Sequence, residues 1–182
     1  MSQRVVAFTG ISGVGKTTFL RKFAELMEFQ HVTGGSLIAA AKNVARDARD
    51  DLRHADLDEN QRLLIEGFTV ARDANAEVII LDGHVVIDDG ERPTKISSDV
   101  FKALGVMAMV HLETDPKRIA KNRSKDSARS RPRYDTDILR QHQDMSRQNA
   151  HSIAEELGIS FYIVTHNDVA HLASLLEGAP LD

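Results

Sequence analysis

Val5-Val6-Ala7-Phe8-Thr9-Gly10-Ile11-Ser12-Gly13-Val14-Gly15-Lys16-Thr17 is the stretch that decides the fold. Residues 5–8 are an unbroken apolar run, the mark of a strand buried on both faces. Residues 16–28 carry Phe19, Leu20, Phe23, Leu26 and Met27 at helical spacing, which predicts an amphipathic helix. Between them, Gly10 to Thr17 satisfies G-x-x-x-x-G-K-[ST] at every fixed position. Glycines in such a loop let the backbone wrap a phosphate chain and aim its N–H groups inward. The start of the following helix adds a favourable dipole. A lysine at position 16 can reach the β- and γ-phosphates, and the Thr17 hydroxyl suits Mg²⁺. Gly10, Ser12, Gly13, Val14, Gly15, Lys16, Thr17 and Thr18 are therefore the candidate nucleotide-binding residues, with ATP and Mg²⁺ as the implied ligands.

Moving outward, residues 30–33 form a weaker strand candidate. A turn follows at Thr33-Gly34-Gly35-Ser36, and Ser36 can cap a helix over residues 37–48. Leu63, Leu64, Phe68 and Val70 mark another helix, ending near Asn75. Residues 78–81 are all apolar and are closed by Asp82-Gly83, which suits the interior of a parallel sheet. Asp88-Asp89-Gly90 reads as a turn. Residues 106–112 are a third clear strand, and Asp115 can cap a helix with Pro116 in its first turn. Residues 124–134 are polar and rich in arginine, and they read as a mobile loop. A long helix over about 135–157 is stopped by Gly158, a strand follows over 159–164, and a closing helix spans 169–176. Strands alternating with helices mean an α/β chain with a mostly parallel sheet.

The 182 residues suit one domain. The formal charge of −4 hides a strong asymmetry. Residues 1–116 hold 13 basic and 18 acidic groups, residues 117–149 hold 10 and 4, and residues 150–182 hold none and 5. The acidic total argues against a general nucleic-acid binder, although the basic island could serve as a local patch. Cysteine is absent, which excludes disulfides, thiolate zinc sites and a cysteine nucleophile, and fits a cytoplasmic setting. No apolar run approaches the roughly 20 residues of a membrane span. The first residues read as a strand rather than a signal peptide. The eight histidines show no HExxH-like spacing, and no GxSxG element supports a hydrolase.

Asp82 closes a hydrophobic strand, where a carboxylate can hold Mg²⁺ or orient a substrate. Arg123, Arg129, Arg131, Arg133, Arg140 and Arg147 lie on or beside the loop at 124–134. Phosphoryl transfer spreads negative charge over the moving group, and arginine forks stabilise it. An arginine-rich lid closing over the nucleotide is the reading that joins the island to the loop at Lys16.

In this order along the chain, the sequence resembles the archaeal-type adenylate kinases, within the P-loop nucleoside monophosphate kinases. The resemblance is carried by residues 5–18, Thr33-Gly34-Gly35-Ser36-Leu37, Leu57-Asp58-Glu59-Asn60-Gln61-Arg62, the strand ending Asp82-Gly83-His84, Glu113-Thr114-Asp115-Pro116, and His142-Gln143-Asp144-Met145-Ser146-Arg147. It implies a three-layer fold with a five-stranded parallel sheet, helices on both faces and a short lid. The acceptor-binding region would lie at about 34–72 and the lid at about 124–135, within one domain over residues 1–182. It implies catalytic roles for Lys16, Asp82, Arg123, Arg131 and Arg133, and metal binding by Thr17 and Asp82. Ser36, Arg53, His84 and Arg147 would bind the acceptor, and His166 would lie beside the donor adenine. The activity implied is transfer from ATP to AMP, without nucleic-acid or membrane partners; a homo-oligomer is among the assemblies the sequence allows. The acceptor region departs from the family in its acidity, with Asp47, Asp50, Asp51, Asp56 and Asp58. A kinase for another small acceptor, or a nucleotide-binding regulator with slow ATPase activity, stays open.

Overall fold

The computed structural model describes residues 3–42, 57–88, 93–125 and 134–178. Among these residues the chain runs β1 (Arg4–Thr9), α1 (Lys16–Phe23), β2 (Gln30–Thr33), α2 (Gly34–Lys42), α3 (Leu57–Ala71), β3 (Val78–Asp82), β4 (Val86–Ile87), β5 (Thr94–Lys95), α4 (Ser98–Ala103), β6 (Val106–Leu112), α5 (Pro116–Lys125), α6 (Thr136–Leu157), β7 (Ser160–Val164) and α7 (Val169–Gly178). Five strands form one parallel sheet in the order β2-β3-β1-β6-β7, and β4 pairs antiparallel with β5. This is the expected α/β arrangement, with the five strands parallel as the resemblance implied.

The apolar runs explain the strand order. β1 and β3 are buried on both faces, so they take the interior of the sheet. Along β1 the side chains alternate between two cores. Val6 and Phe8 join Phe19, Phe23, Val110, Leu139 and Leu172 on one side. Val5 and Ala7 join Leu37, Phe68, Phe101, Met109 and Ile153 on the other. Period-two alternation with apolar residues at both phases needs cover on both faces, and the helices supply it. No helix among the described residues is long and apolar enough to cross a membrane.

Several boundaries differ from the sequence reading. α1 stops at Phe23 rather than running to residue 28, and Leu26 beyond it is half exposed. α2 begins at Gly34, so Thr33 rather than Ser36 is its capping residue. The two close a reciprocal cap: Ser36 N donates to Thr33 Oγ1 at 3.0 Å and Thr33 N to Ser36 Oγ at 3.0 Å. α3 ends at Ala71, and the Asp73 carboxylate takes the Asn75 N–H at 2.9 Å in the turn beyond. Val70, assigned to the apolar stripe, is 79% exposed. α5 carries the chain through Ser124 and Lys125, which the sequence assigned to the loop; the Ser124 hydroxyl donates to Lys121 O one turn back. Met107 is 37% exposed because the β1–β6 register skips it: Val5 faces Val106 and Val6 faces Ala108. Asp135 caps α6 through Asp137 N and Ile138 N, and Gly158 ends the helix at φ 66°, the stop that was read there.

Candidate active site

The phosphate loop joins the end of β1 to the start of α1, at the carboxyl edge of the sheet. Two of its glycines are obligatory. Gly13 has φ 90° and Gly15 has φ 98°, the left-handed region that side chains avoid. A Cβ on Gly13 would stand 2.7 Å from Arg123 Cγ, and one on Gly15 would stand 2.8 Å from His166 Cε1. Gly15 caps α1 without a side chain, so no hydroxyl or carboxylate competes for the first-turn N–H groups. The donor set fits an anion.

The carbonyls of the loop are held from outside. Arg123 Nε donates to Ser12 O at 2.7 Å, and Asn122 Nδ2 to Gly13 O at 2.9 Å. His166 Nε2 lies 2.8 Å from Val14 O, and His84 Nδ1 lies 2.9 Å from Gly10 O. A carbonyl only accepts, so each of these ring nitrogens carries its proton. Lys16 Nζ also donates to Gly10 O, at 3.2 Å. Side chains from the loop after β3, from α5 and from the loop after β7 therefore turn the carbonyls outward, which leaves the N–H side for a ligand.

Asp82 ends β3 beside the loop. Its Oδ1 lies 3.6 Å from Lys16 Nζ and its Oδ2 3.3 Å from His31 Nε2. Burial pushes the Asp82 carboxyl up, but the His31 hydrogen bond and the charges of Lys16, His31 and His84 outweigh it and hold the carboxyl below its ordinary value. It is an ionised oxygen donor, the ligand type a hard divalent cation takes, although Lys16 now shares it. Thr17, whose hydroxyl was assigned to the same ion, lies exposed in the first turn of α1.

The remaining assigned residues scatter. Ser36 sits at the start of α2, where its hydroxyl donates to Thr33 O at 2.8 Å. Arg147, on α6, donates to both oxygens of Glu113 at 3.0 and 3.3 Å and to Asp144 at 2.7 Å. Thr18 is exposed on α1. Arg53, Arg131 and Arg133 lie outside the described residues, as does Arg129. Of the cations on the helices after β2, Lys42 pairs with Glu59 at 3.8 Å and Arg62 with Glu66.

Sequence reading missed His31 and Asn122. His31 reaches Asp82 only because β2 pairs with β3, with Thr33 opposite Asp82. Asn122 precedes Arg123 on α5, and no spacing rule marks it. A third unassigned group gathers on Asp88: Tyr134 Oη donates to it at 3.1 Å and His142 Nδ1 stands 3.5 Å away. The Tyr134 and His142 rings meet edge to face at 4.9 Å.

This chain is similar to known proteins over most of its length. An adenylate kinase of Sulfurisphaera tokodaii is 29% identical over 170 residues, covering 86% of this chain and 87% of that one. An adenylate kinase of Thermoplasma acidophilum is 26% identical over 164 residues, covering 88% of each. Among solved structures, a shikimate kinase from Acinetobacter baumannii in complex with shikimate superposes with a TM-score of 0.65 at 14% identity, covering 100% of this chain and 97% of that one. At that identity the likeness is one of fold. Residues 9–140 match the model of the AAA domain family AAA_17, and the chain belongs to that family as a nucleotide-dependent kinase built on a phosphate loop.

Proposed function

We propose that this chain transfers the γ-phosphoryl group of ATP to AMP. The observation that carries the transfer chemistry is the placement of Lys16, whose Nζ is held between Gly10 O at 3.2 Å and Asp82 Oδ1 at 3.6 Å at the head of a helix with no side-chain cap. Similarity to adenylate kinases across most of both chains supports AMP as acceptor.

In this reading Gly10, Ser12, Gly13, Val14, Gly15, Thr17 and Thr18 cradle the donor phosphates, and His166 borders the adenine. An oxygen of the acceptor phosphate attacks the γ-phosphorus in line. A new P–O bond forms as the bond to the β-phosphate oxygen breaks, and ADP leaves on each side. Lys16 follows the charge that develops on the bridging and γ-oxygens. Mg²⁺, held by Thr17 and Asp82, would neutralise charge on the β- and γ-phosphates. Arg123, with Arg131 and Arg133, closes over the transferring group, and Ser36, Arg53, His84 and Arg147 bind the acceptor. Catalysis comes from positioning and electrostatics, without a covalent enzyme intermediate.

One observation favours a second acceptor class. Asp82 and His31 place a carboxylate and an imidazole beside Lys16, an arrangement that can take the proton of an attacking hydroxyl. A small alcohol in place of AMP would use it. A coupled assay with ATP against AMP, the other monophosphates and small polyols separates the two. The proposal expects ADP formation that depends on AMP. Turnover only with a polyol would replace AMP, and phosphate release indifferent to every acceptor would overturn the phosphotransferase reading.

A further inference from the structure

Among the described residues, His111 is the only titratable side chain buried to 0% exposure. Phosphoryl transfer, as described above, gives it no role. It lies in β6 directly opposite Thr9 of β1. Its Nδ1 is 2.9 Å from Thr9 Oγ1, and that same oxygen is 3.0 Å from Val110 O. A carbonyl only accepts, and a threonine hydroxyl has one proton. Both contacts are satisfied only if Thr9 gives its proton to Val110 O and the imidazole donates from Nδ1. Nε2 is then a bare acceptor, and it has no hydrogen-bond partner. Glu113 Oε1, another acceptor, stands 4.0 Å from it and is occupied by Arg147.

An orphaned acceptor in the core is costly, and an apolar side chain would fill the same space without that penalty. What the imidazole secures is Thr9. The next residue is Gly10, whose carbonyl receives both Lys16 Nζ and His84 Nδ1. A shift of Thr9 therefore moves an acceptor that, with Asp82, aligns the lysine. The charges facing the ring are Lys16 from α1, Glu113 from the loop just after β6 and Arg147 from α6, so a neutral ring adds no third cation beside Lys16 and Arg147.

We propose that His111, as the neutral Nδ1–H tautomer, is a positioning residue for the phosphate loop, fixing Thr9 and through it the Gly10 carbonyl that sets Lys16. This rests on the reading that the loop holds the donor phosphates of a phosphotransferase. Asparagine carries its N–H₂ where histidine carries Nδ1, glutamine carries it one bond further out, and phenylalanine carries none. His111→Asn is expected to keep kcat within about threefold, while His111→Gln and His111→Phe lose roughly tenfold or more in kcat at near-constant KM for ATP. A phenylalanine variant as active as the wild type, or an asparagine variant no better than phenylalanine, would overturn the proposal. A second readout needs neither variants nor turnover. The full-length wild-type protein, labelled with ¹⁵N-histidine, is expected to show His111 protonated at Nδ1 and bare at Nε2 at pH 7. The opposite tautomer would sink the proposal even if the enzyme is an efficient kinase. Conversely, a wild-type chain without acceptor-dependent product would remove the proposed function while the tautomer still judges His111.

Discussion

Lys16 and Asp82 sit 3.6 Å apart with side chains only 11% and 12% exposed, so neither charge is shared freely with water. Lys16→Ala is expected to lower the melting temperature by several degrees, since Asp82 keeps a largely buried charge with only His31 and His84 beside it, and to lower kcat/KM at a temperature well below the melt on the order of a thousandfold, about 4 kcal/mol of transition-state stabilisation. Steady-state kinetics beside a thermal melt checks both. His111 gives a prediction of different kind. Burial, with the Arg147 and Lys16 charges, lowers its pKa from 6.5 to about 4. Below pH 6.5 the unfolded chain therefore takes up the proton first, and stability falls with pH until about pH 4. Between pH 7 and pH 5 the loss from this one residue is roughly 2 kcal/mol. Urea unfolding at the two pH values should show that difference in the wild type and its absence in His111→Phe; equal pH dependence in both would contradict it. The motif residues were legible because their spacing is itself the signal. His31, Asn122 and His111 were not, since each acquires meaning only from a neighbour distant in sequence.

At the scale of elements, α2 and α3 pack so tightly that a glycine is required. A Cβ on Gly67, in the middle of α3, would fall 1.9 Å from Leu37 O, which is backbone and cannot swing aside. Gly67→Ala raises intrinsic helix propensity, yet it is expected to destabilise by about 1–3 kcal/mol because the helices must separate. A fall in melting temperature of roughly 3–10 °C would follow for a chain of this size, and an increase would contradict the packing. The long apolar runs behind β1, β3 and β6 were readable from composition alone. The β4–β5 hairpin and α4 were not: two-residue strands carry no period, and the six residues of α4 are too few for a stripe. α1 misled in the opposite way. Leu26 and Met27 keep its helical phase, but the helix ends at Phe23 and turns follow.

Across the molecule, the described members of the basic island on α5 and at Arg147 divide by direction. Arg123 and Arg147 turn inward, one to the Ser12 carbonyl and one to Glu113. Lys117, Arg118, Lys121 and Lys125 line an open groove on α5 that shares Asn122 with the loop. Among the described residues, positive charge thus gathers on α5 beside the phosphate loop, while Lys42 and Arg62 on the helices after β2 are paired with carboxylates. The sheet order β2-β3-β1-β6-β7 places β1, with the phosphate loop at its carboxyl end, beside β3, which ends in Asp82. That the chain moves a phosphoryl group between two small molecules is tested most directly by following the label from [γ-³²P]ATP in the presence of AMP. The expected result is ³²P in the β-phosphate of ADP newly made from AMP, abolished by Lys16→Ala. Label recovered only as inorganic phosphate, at a rate indifferent to AMP, would contradict it.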